Sequence, residues 1–595
     1  MININSSDFE RPQVVFQKHS HFDLETHRFG GKASFDGQLG GIPLLYDKDK
    51  KALALDPSDS HTIVYGATGS KKTRAFVMPA IKVLGHAGES MVINDSKGEL
   101  FTRTAGDLQK EGYDIITINF RDPAVGNSWN PLQIPYQYYL AGDMDKAAEF
   151  ANDIANTLML AEVSDKDPYW DYASSDVCYG LILLLLKYCK EYNAPEGSVN
   201  IANLMALRRK LYAKGTMSQN TPLWNWASQD ELVAASLSGS VMAPKDTMNS
   251  ILAVFDQKMR SFTIQPTLLD MLANNNIEIE KIGERKTAVF LITPDEKTAY
   301  HRLVALFISQ SYQYLIYTAM QQGGRVPNRI NYILDEFSSL PAIGSDFPSM
   351  IAAARTRSIR FSIVCQSKNQ LVRRYREEAA TITANCTNWI FFASRELDLL
   401  RELSELCGQK KDHTPNVSVY DLQHLSKEKN EALLFTGRMK PCLVSFLDID
   451  HFPERKYVVI DMDTPTRIQR ARLDFAALNS EKKELEWGEL IDSNSPPMTP
   501  PTAPQPHGVD SLIAKIDAKI AALEAEEARE KKGVTPGDKT SHTEDDESMP
   551  TFDIDKLLTG ISTESTTSDE ESSQMSSLMD AIMKRKDSID ISDEE

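Results

Sequence analysis

Residues 66–73 read Gly66-Ala67-Thr68-Gly69-Ser70-Lys71-Lys72-Thr73, between a β-rich run at 61–65 and an apolar helical stretch through 75–84. A glycine-rich turn from strand to helix lets successive main-chain N–H groups converge on phosphates. A lysine then reaches the terminal phosphates and a hydroxyl holds Mg²⁺. Lys72 and Thr73 fit those two roles, and Arg74 follows directly. The position before Lys72, where the pattern asks for glycine, holds Lys71. A side chain there crowds the turn, and any demand for positive φ makes it costly. Its ammonium also opposes that of Lys72 unless phosphate neutralises both. The loop tolerates Lys71 if the side chain points outward, to a neighbouring subunit or to solvent. Weak basal ATP affinity is the expected consequence.

The second half of such a site is acidic. The apolar run 330–334 ends in Asp335-Glu336. Asp335 suits Mg²⁺, directly or through its water shell, and Glu336 suits polarising the attacking water by accepting its proton. The next β-run, 359–365, stops at Gln366, which places a polar sensor near the γ-phosphate. ATP and Mg²⁺ are the cofactors this set implies.

The elements that must position these residues are legible as periodicities. Runs at 61–65, 90–93, 114–119, 287–292, 330–334, 359–365 and 389–392 are apolar or β-branched, and helix-length segments separate many of them. Near-continuous apolar strands suit a mostly parallel sheet covered on both faces, hence an α/β fold. Runs at 443–447 and 457–460 are expected to add edge or terminal strands. Residues 144–280 show helical periods instead, with 262–264 as a candidate β exception, and are read as an all-α domain inserted into the α/β one. The expected division is an irregular polar lead with a short hairpin at 1–45, the nucleotide-binding domain at 46–143 and 281–490, and the all-α domain at 144–280. A proline-rich linker follows at 491–508, then a short helix at 509–532 and an acidic, disordered tail at 533–595.

Composition narrows the class. Of 595 residues, 65 are basic and 84 acidic, a formal net charge of −19. Residues 541–595 hold 16 acidic and 4 basic side chains, so the body carries only −7 and local basic patches for nucleic acid remain possible. The six cysteines are scattered, with no CxxC pair, which argues against a disulfide framework or a structural zinc site. No secretory signal opens the chain, and no run of 18 apolar residues occurs. Two short apolar clusters in the tail, around 552–558 and 575–583, read as docking segments.

These stretches, taken together, resemble the type IV secretion coupling proteins of the VirD4/TraG family, hexameric ATPases related to FtsK and RecA. The likeness runs through 66–73, Asn94-Asp95-Ser96-Lys97-Gly98-Glu99-Leu100, Trp129-Asn130-Pro131-Leu132, 334–341, 347–361, Gln366, Asn385-Cys386 and 431–441, in the family's order. The resemblance implies a RecA-like P-loop domain. It also implies a role in bringing conjugative DNA or protein substrates to a secretion channel. It places Asp95 and Lys97 beside the nucleotide, and Arg355 and Arg357 on a helix–strand connection near a central channel, where they would grip phosphates without reading sequence. Single-stranded DNA or a relaxase–DNA complex would be the cargo. Protein substrates or chaperones would bind through the all-α domain and the tail, and the working assembly would be a homo-hexamer. Family members usually begin with two transmembrane helices. With none legible here, a separate membrane anchor or the channel ATPase would recruit the chain, giving a cytoplasmic protein peripheral to the inner membrane.

Two other readings stay open. Lys71 favours a catalytically weak P-loop scaffold that recruits substrates, and a DNA translocase outside secretion would share every motif above.

Overall fold

The computed structural model describes residues 9–475, except 35–36, 165, 214–220, 295, 345, 454–456 and 465. The expected linker, short helix and acidic tail lie outside the described residues.

The apolar runs form a nine-stranded sheet built from β5 to β13. The first four strands, β1 (Ser20–Asp23), β2 (Arg28–Gly31), β3 (Ile42–Asp47) and β4 (Ala52–Asp56), form a sheet of their own. The large sheet contains β5 (His61–Tyr65), β6 (Ser90–Asp95), β7 (Asp114–Asn119), β8 (Thr287–Ile292), β9 (Ile330–Leu334), β10 (Ile359–Cys365), β11 (Cys386–Phe391), β12 (Glu431–Thr436) and β13 (Cys442–Ser445). Its order is β13-β12-β11-β5-β10-β9-β6-β8-β7. β5 to β11 are mutually parallel, and β12 and β13 add an antiparallel edge. The fold is α/β and RecA-like.

The continuous apolar strands follow from burial on both faces. In β5, Val64 packs into one core while Ile63 and Tyr65 pack into the other. The same split separates Met91 and Ile93 from Val92, and Ile333 from Tyr332 and Leu334. Alternate residues point to opposite faces, so a strand covered twice has no polar register to show. One face is covered by the helices Met78–Ala87 and Glu99–Lys110 and by the small antiparallel sheet. The other is covered by the helix His301–Gln321 and by the helices between β7 and β8, among them Met144–Met159, Tyr169–Glu191 and Lys245–Thr263. That helical block shares one continuous core with the sheet, in which Trp129, after β7, meets Phe307 of the helix His301–Gln321 edge-on at 5.3 Å. Beside it, Asn130 ties the helical block to the sheet by donating to the Val199 carbonyl at 2.7 Å.

Three expectations change. The lead at 1–45 holds the expected hairpin as β1 and β2, but it also contains the helix Pro12–Lys18, and β3 crosses its expected end. Strands β1 and β2 are short and rich in glycine and polar residues, and they gain their order from pairing with each other and, for β1, with β4 rather than from local pattern. Residues 457–460 form no strand. Residues 457–464 and 466–475 instead carry no regular secondary structure and reach from the helix Glu99–Lys110 to the helical block. A Cβ on Gly106 would lie 2.0 Å from the Val458 carbonyl oxygen, so only glycine allows that crossing. Further on, Gly126 N–H donates to Asp463 O at 2.7 Å and Asn203 Nδ2 to Ala471 O at 2.8 Å, and Phe475 packs on Tyr188 at 4.9 Å. Finally, Phe262 belongs to the helix Lys245–Thr263, so 262–264 is no β exception.

Among the described residues, no helix is long and apolar enough to cross a membrane.

Candidate functional site

Because β5, β9 and β10 are adjacent and parallel, the residues following them come to one edge of the sheet. Open parallel sheets bind ligands at that carboxyl edge. Loop 66–73 leaves β5, Asp335-Glu336 leaves β9, and Gln366 leaves β10. Three distant stretches of sequence therefore meet.

The loop is held from beneath. Gly66 N–H donates to Cys365 O at 3.2 Å and Ala67 N–H to Ala393 O at 3.1 Å. A Cβ on Gly66 would come within 2.6 Å of Ser70 Oγ and 2.9 Å of Phe392 Cβ, which is why this turn needs glycine. Lys72 is buried and donates to Gly66 O at 2.5 Å and Ala67 O at 3.2 Å. Burial pulls its ammonium pKa below the ordinary lysine value, against the opposing field of Asp335 and Glu336. The first turn after the loop, Thr73–Val77, is π-helical and runs into Met78–Ala87. It aims Thr73 Oγ1 at Asp335 Oδ2, to which it donates at 2.8 Å.

Asp335 lies deep. Burial pushes its carboxyl up to about 6, against the Thr73 hydroxyl that stabilises the ionised form. Asn94, at the end of β6, donates from Nδ2 to Asp335 O at 2.6 Å and fixes the strand end. Glu336 stands at φ 55, a left-handed conformation uncommon for a residue with a side chain and frequent at working sites. Gln366 bridges the two halves: its Nε2 donates to Glu336 Oε2, and its Oε1 accepts from Thr68 Oγ1 at 3.0 Å.

These residues fit a Mg²⁺–nucleotide. Thr73 and Asp335 form an adjacent hydroxyl–carboxylate pair, the donor type a hard cation takes. Ser70 Oγ is buried in the cradle without a hydrogen-bond partner, so the loop holds an unused polar group where phosphate would lie. Gly69 stands at φ 76, and a Cβ on it would be 3.8 Å from Lys427 Nζ, which puts a further cation at the rim. Sequence spacing carries no signal for Lys427, because it comes from the turn before β12.

Other expected site residues go elsewhere. Lys71 does adopt the costly conformation, φ 68. Left-handed geometry costs a residue with a Cβ on the order of 1–2 kcal/mol. Its side chain turns outward, half-buried, and pairs with Asp448 Oδ2 of the same chain at 3.2 Å. Arg74 turns the same way, donating to Asp448 Oδ1 at 2.7 Å and to Asp450 Oδ2. Burial alone would raise the Asp448 pKa, but the hydrogen bonds from Arg74, the Asp450 backbone and Lys71 hold it below the usual carboxylate range. Asp95 faces its own loop. Its carboxylate accepts from Phe101 N at 2.8 Å and Lys97 N at 3.4 Å, capping the helix Glu99–Lys110. Lys97 is exposed, and no hydrogen bond or ion pair among the described residues links Asp95 or Lys97 to loop 66–73. Two strands, β9 and β10, separate β6 from β5, which accounts for the distance. Arg355 and Arg357 occupy a 3₁₀ turn just before β10, at the opposite end of the sheet from the loop. Arg355 is exposed, and Arg357 donates to Ala353 O at 2.8 Å.

The chain is similar to proteins of conjugation. A family model described as Type IV secretory system Conjugative DNA transfer matches residues 9–465. The conjugal transfer protein TraG of Escherichia coli is 22% identical over 378 residues, 61% of this chain and 57% of that protein. The chain thus spans little more than half the length of that relative. The solved structure of the plasmid coupling protein TrwB, in complex with the non-hydrolysable ATP analogue ADPNP, aligns at TM-score 0.52 and 14% identity, covering 78% of this chain and 100% of that one. At that identity the likeness establishes the fold.

Proposed function

Since the chain belongs to the family of type IV secretory system conjugative DNA transfer proteins, we propose that it is a coupling ATPase: it recruits DNA, protein substrates or both to a type IV secretion channel and drives their transfer by ATP hydrolysis. The observation that carries the enzymatic part is the meeting of three strand ends, where Thr73 bonds Asp335 and Gln366 spans Thr68 and Glu336.

Bound Mg²⁺–ATP supplies the phosphoanhydride bond to be cleaved. The chain's own residues do the rest. Main-chain N–H groups of loop 66–73 and the Lys72 ammonium bind the phosphates, as fixed donors that need no reorganisation during reaction. Thr73 and Asp335 hold the metal. Glu336 takes the proton of the attacking water. Gln366 holds the Glu336 carboxylate in place and reports the state of the loop to β10. This reading includes a homo-hexamer, cargo in the form of single-stranded DNA or a relaxase–DNA complex, and a membrane location borrowed from a separate anchor or the channel ATPase. The helical block shares one core with the sheet and is thus packed directly on the nucleotide-binding domain. The helical block would then receive protein cargo or its chaperone.

The test is Mg²⁺-dependent ATP turnover by the purified full chain with and without single-stranded DNA. Turnover that rises with DNA is expected. No turnover in either condition would remove the motor and leave the scaffold reading.

A further inference from the structure

Two adjacent lysines of the loop point to opposite sides. Lys72 turns inward, buried, against Gly66 O and Ala67 O. Lys71 turns outward to Asp448 at 3.2 Å. One carboxylate takes two cations from this segment, since Arg74 reaches the other oxygen of Asp448 at 2.7 Å. Asp448 is itself fixed: it is buried, and its Oδ1 accepts from Asp450 N at 3.2 Å in the turn Ile449–His451. Asp450 adds a second carboxylate on Arg74.

We propose that Asp448 is a positioning residue for the phosphate-binding loop, one that anchors Lys71 in its left-handed conformation and keeps the Lys71 ammonium out of the phosphate cradle. It would thereby take over what glycine does at this position in an ordinary loop. Glycine adopts positive φ without an anchor and brings no charge. Lysine does neither, so the conformation must be imposed from outside, here by a rigid counter-ion beyond β13. Asp448 acts through the loop and touches no reacting atom. The proposal rests on the nucleotide-binding reading of loop 66–73.

The consequence is a coupling between two positions far apart in sequence. Removing the Asp448 charge frees Lys71 to relax out of the left-handed region, which turns the loop's N–H groups away from their common focus. With glycine at position 71 the same removal leaves the backbone where it was. Arg74 is present in both backgrounds and cancels from the comparison.

Four full-length proteins decide it: the unaltered chain, Asp448→Asn, Lys71→Gly and the double variant, titrated calorimetrically with a non-hydrolysable ATP analogue and Mg²⁺. Asp448→Asn is expected to weaken binding about fivefold to tenfold when residue 71 is lysine and no more than about twofold when it is glycine. An equal loss in both backgrounds overturns the proposal, because a residue that merely supports the turn Ile449–His451 costs the same in each. Tighter binding by Asp448→Asn overturns it too, since Lys71 would then be a phosphate ligand held in reserve. If neither the unaltered chain nor Lys71→Gly binds the analogue, it is the nucleotide reading that fails. The anchor is then judged from urea unfolding of the same four proteins without nucleotide. A midpoint shift from Asp448→Asn that is larger in the lysine background than in the Lys71→Gly background supports it, and equal shifts overturn it.

Discussion

The two edges of the large sheet both bury charge, and they use it in opposite ways. At the amino edge, where β6, β9 and β10 begin, Glu89 accepts from Arg329 at 3.1 Å, from Asn331 at 2.9 Å and from Arg360. Asp59 pairs with Arg329 at 2.8 Å and Arg325 at 3.2 Å. Arg360 Nε donates to Asn331 Oδ1 at 2.8 Å. Among the buried members, the carboxylates Glu89 and Asp59 meet the guanidiniums Arg329 and Arg360 two against two, with the exposed Arg325 at the rim, so the cluster closes on itself. At the carboxyl edge, two adjacent carboxylates, Asp335 and Glu336, face one buried lysine and are held by a hydroxyl and an amide. Ser70 Oγ has no partner there. Burial of charge alone therefore does not mark a site. A surplus of one sign with polar capacity to spare does, because a ligand can complete it, whereas a matched cluster offers a ligand nothing.

That contrast breaks most sharply on activity. Lys72→Ala and Glu336→Gln should each lower ATP turnover by at least about a hundredfold, in the range typical of a lost proton acceptor or charge clamp. Glu336→Gln should still bind the analogue, since it keeps the shape of the edge. Undiminished turnover in both variants would place the chemistry elsewhere.

The next effect is on stability and belongs to the amino edge. Glu89→Ala leaves Arg360 buried without its carboxylate and Arg329 with Asp59 alone, a loss of about 3–5 kcal/mol for such a broken pair. Urea unfolding of the folded fraction reads it. A cost below about 1 kcal/mol, the range of an exposed pair, would mean that water reaches the cluster and that the two edges differ less than their contacts imply.

The smallest effect has the opposite sign. Burial lifts the Asp335 pKa from 3.8 to about 6. The folded chain thus retains a proton that the unfolded chain has released between those values. The stability tied to that proton is complete below about pH 4 and is lost as pH rises through 6. Asp335→Asn keeps an acceptor for Thr73 without the buried charge. Free of nucleotide and metal, it should be more stable than the unaltered chain at about pH 7.5, by about 1–3 kcal/mol. The gain should fade below about pH 4. A stability difference between variant and unaltered chain that is the same at both pH values would show that the carboxylate is not penalised by its burial.

Much of the carboxyl edge is legible in the sequence. Strands buried on both faces read as apolar runs, and a parallel sheet puts the first polar residues after those runs on one edge. Asp335, Glu336 and Gln366 are such residues, and Lys72 and Thr73 close the glycine-rich loop after β5, so type and position relative to a strand are enough to find them. Lys71 is legible as an anomaly but not as a solved one, since its counter-ion lies 377 residues away. Asp95 illustrates the reverse. It ends a strand on the correct edge, yet a carboxylate followed by a helix finds the free N–H groups of that helix first. The small amino-terminal sheet is hard to read because short strands with glycine carry little pattern of their own and are made by their partners.

The sequence by itself determined the α/β class, the glycine-rich loop after β5, the acidic end of β9 and the glutamine after β10. Each rests on local chemistry: periodicity over a few residues, or a side-chain type at a strand terminus. Tertiary structure alone decided strand order, and with it which strand ends share an edge. It also decided that Asp448 answers Lys71, that Lys427 stands at the loop's rim, and that the chain at Val458 crosses the helix Glu99–Lys110 at Gly106. Those are matters of which distant residues become neighbours, and a contact between side chains far apart in the chain leaves no trace in the spacing of either one.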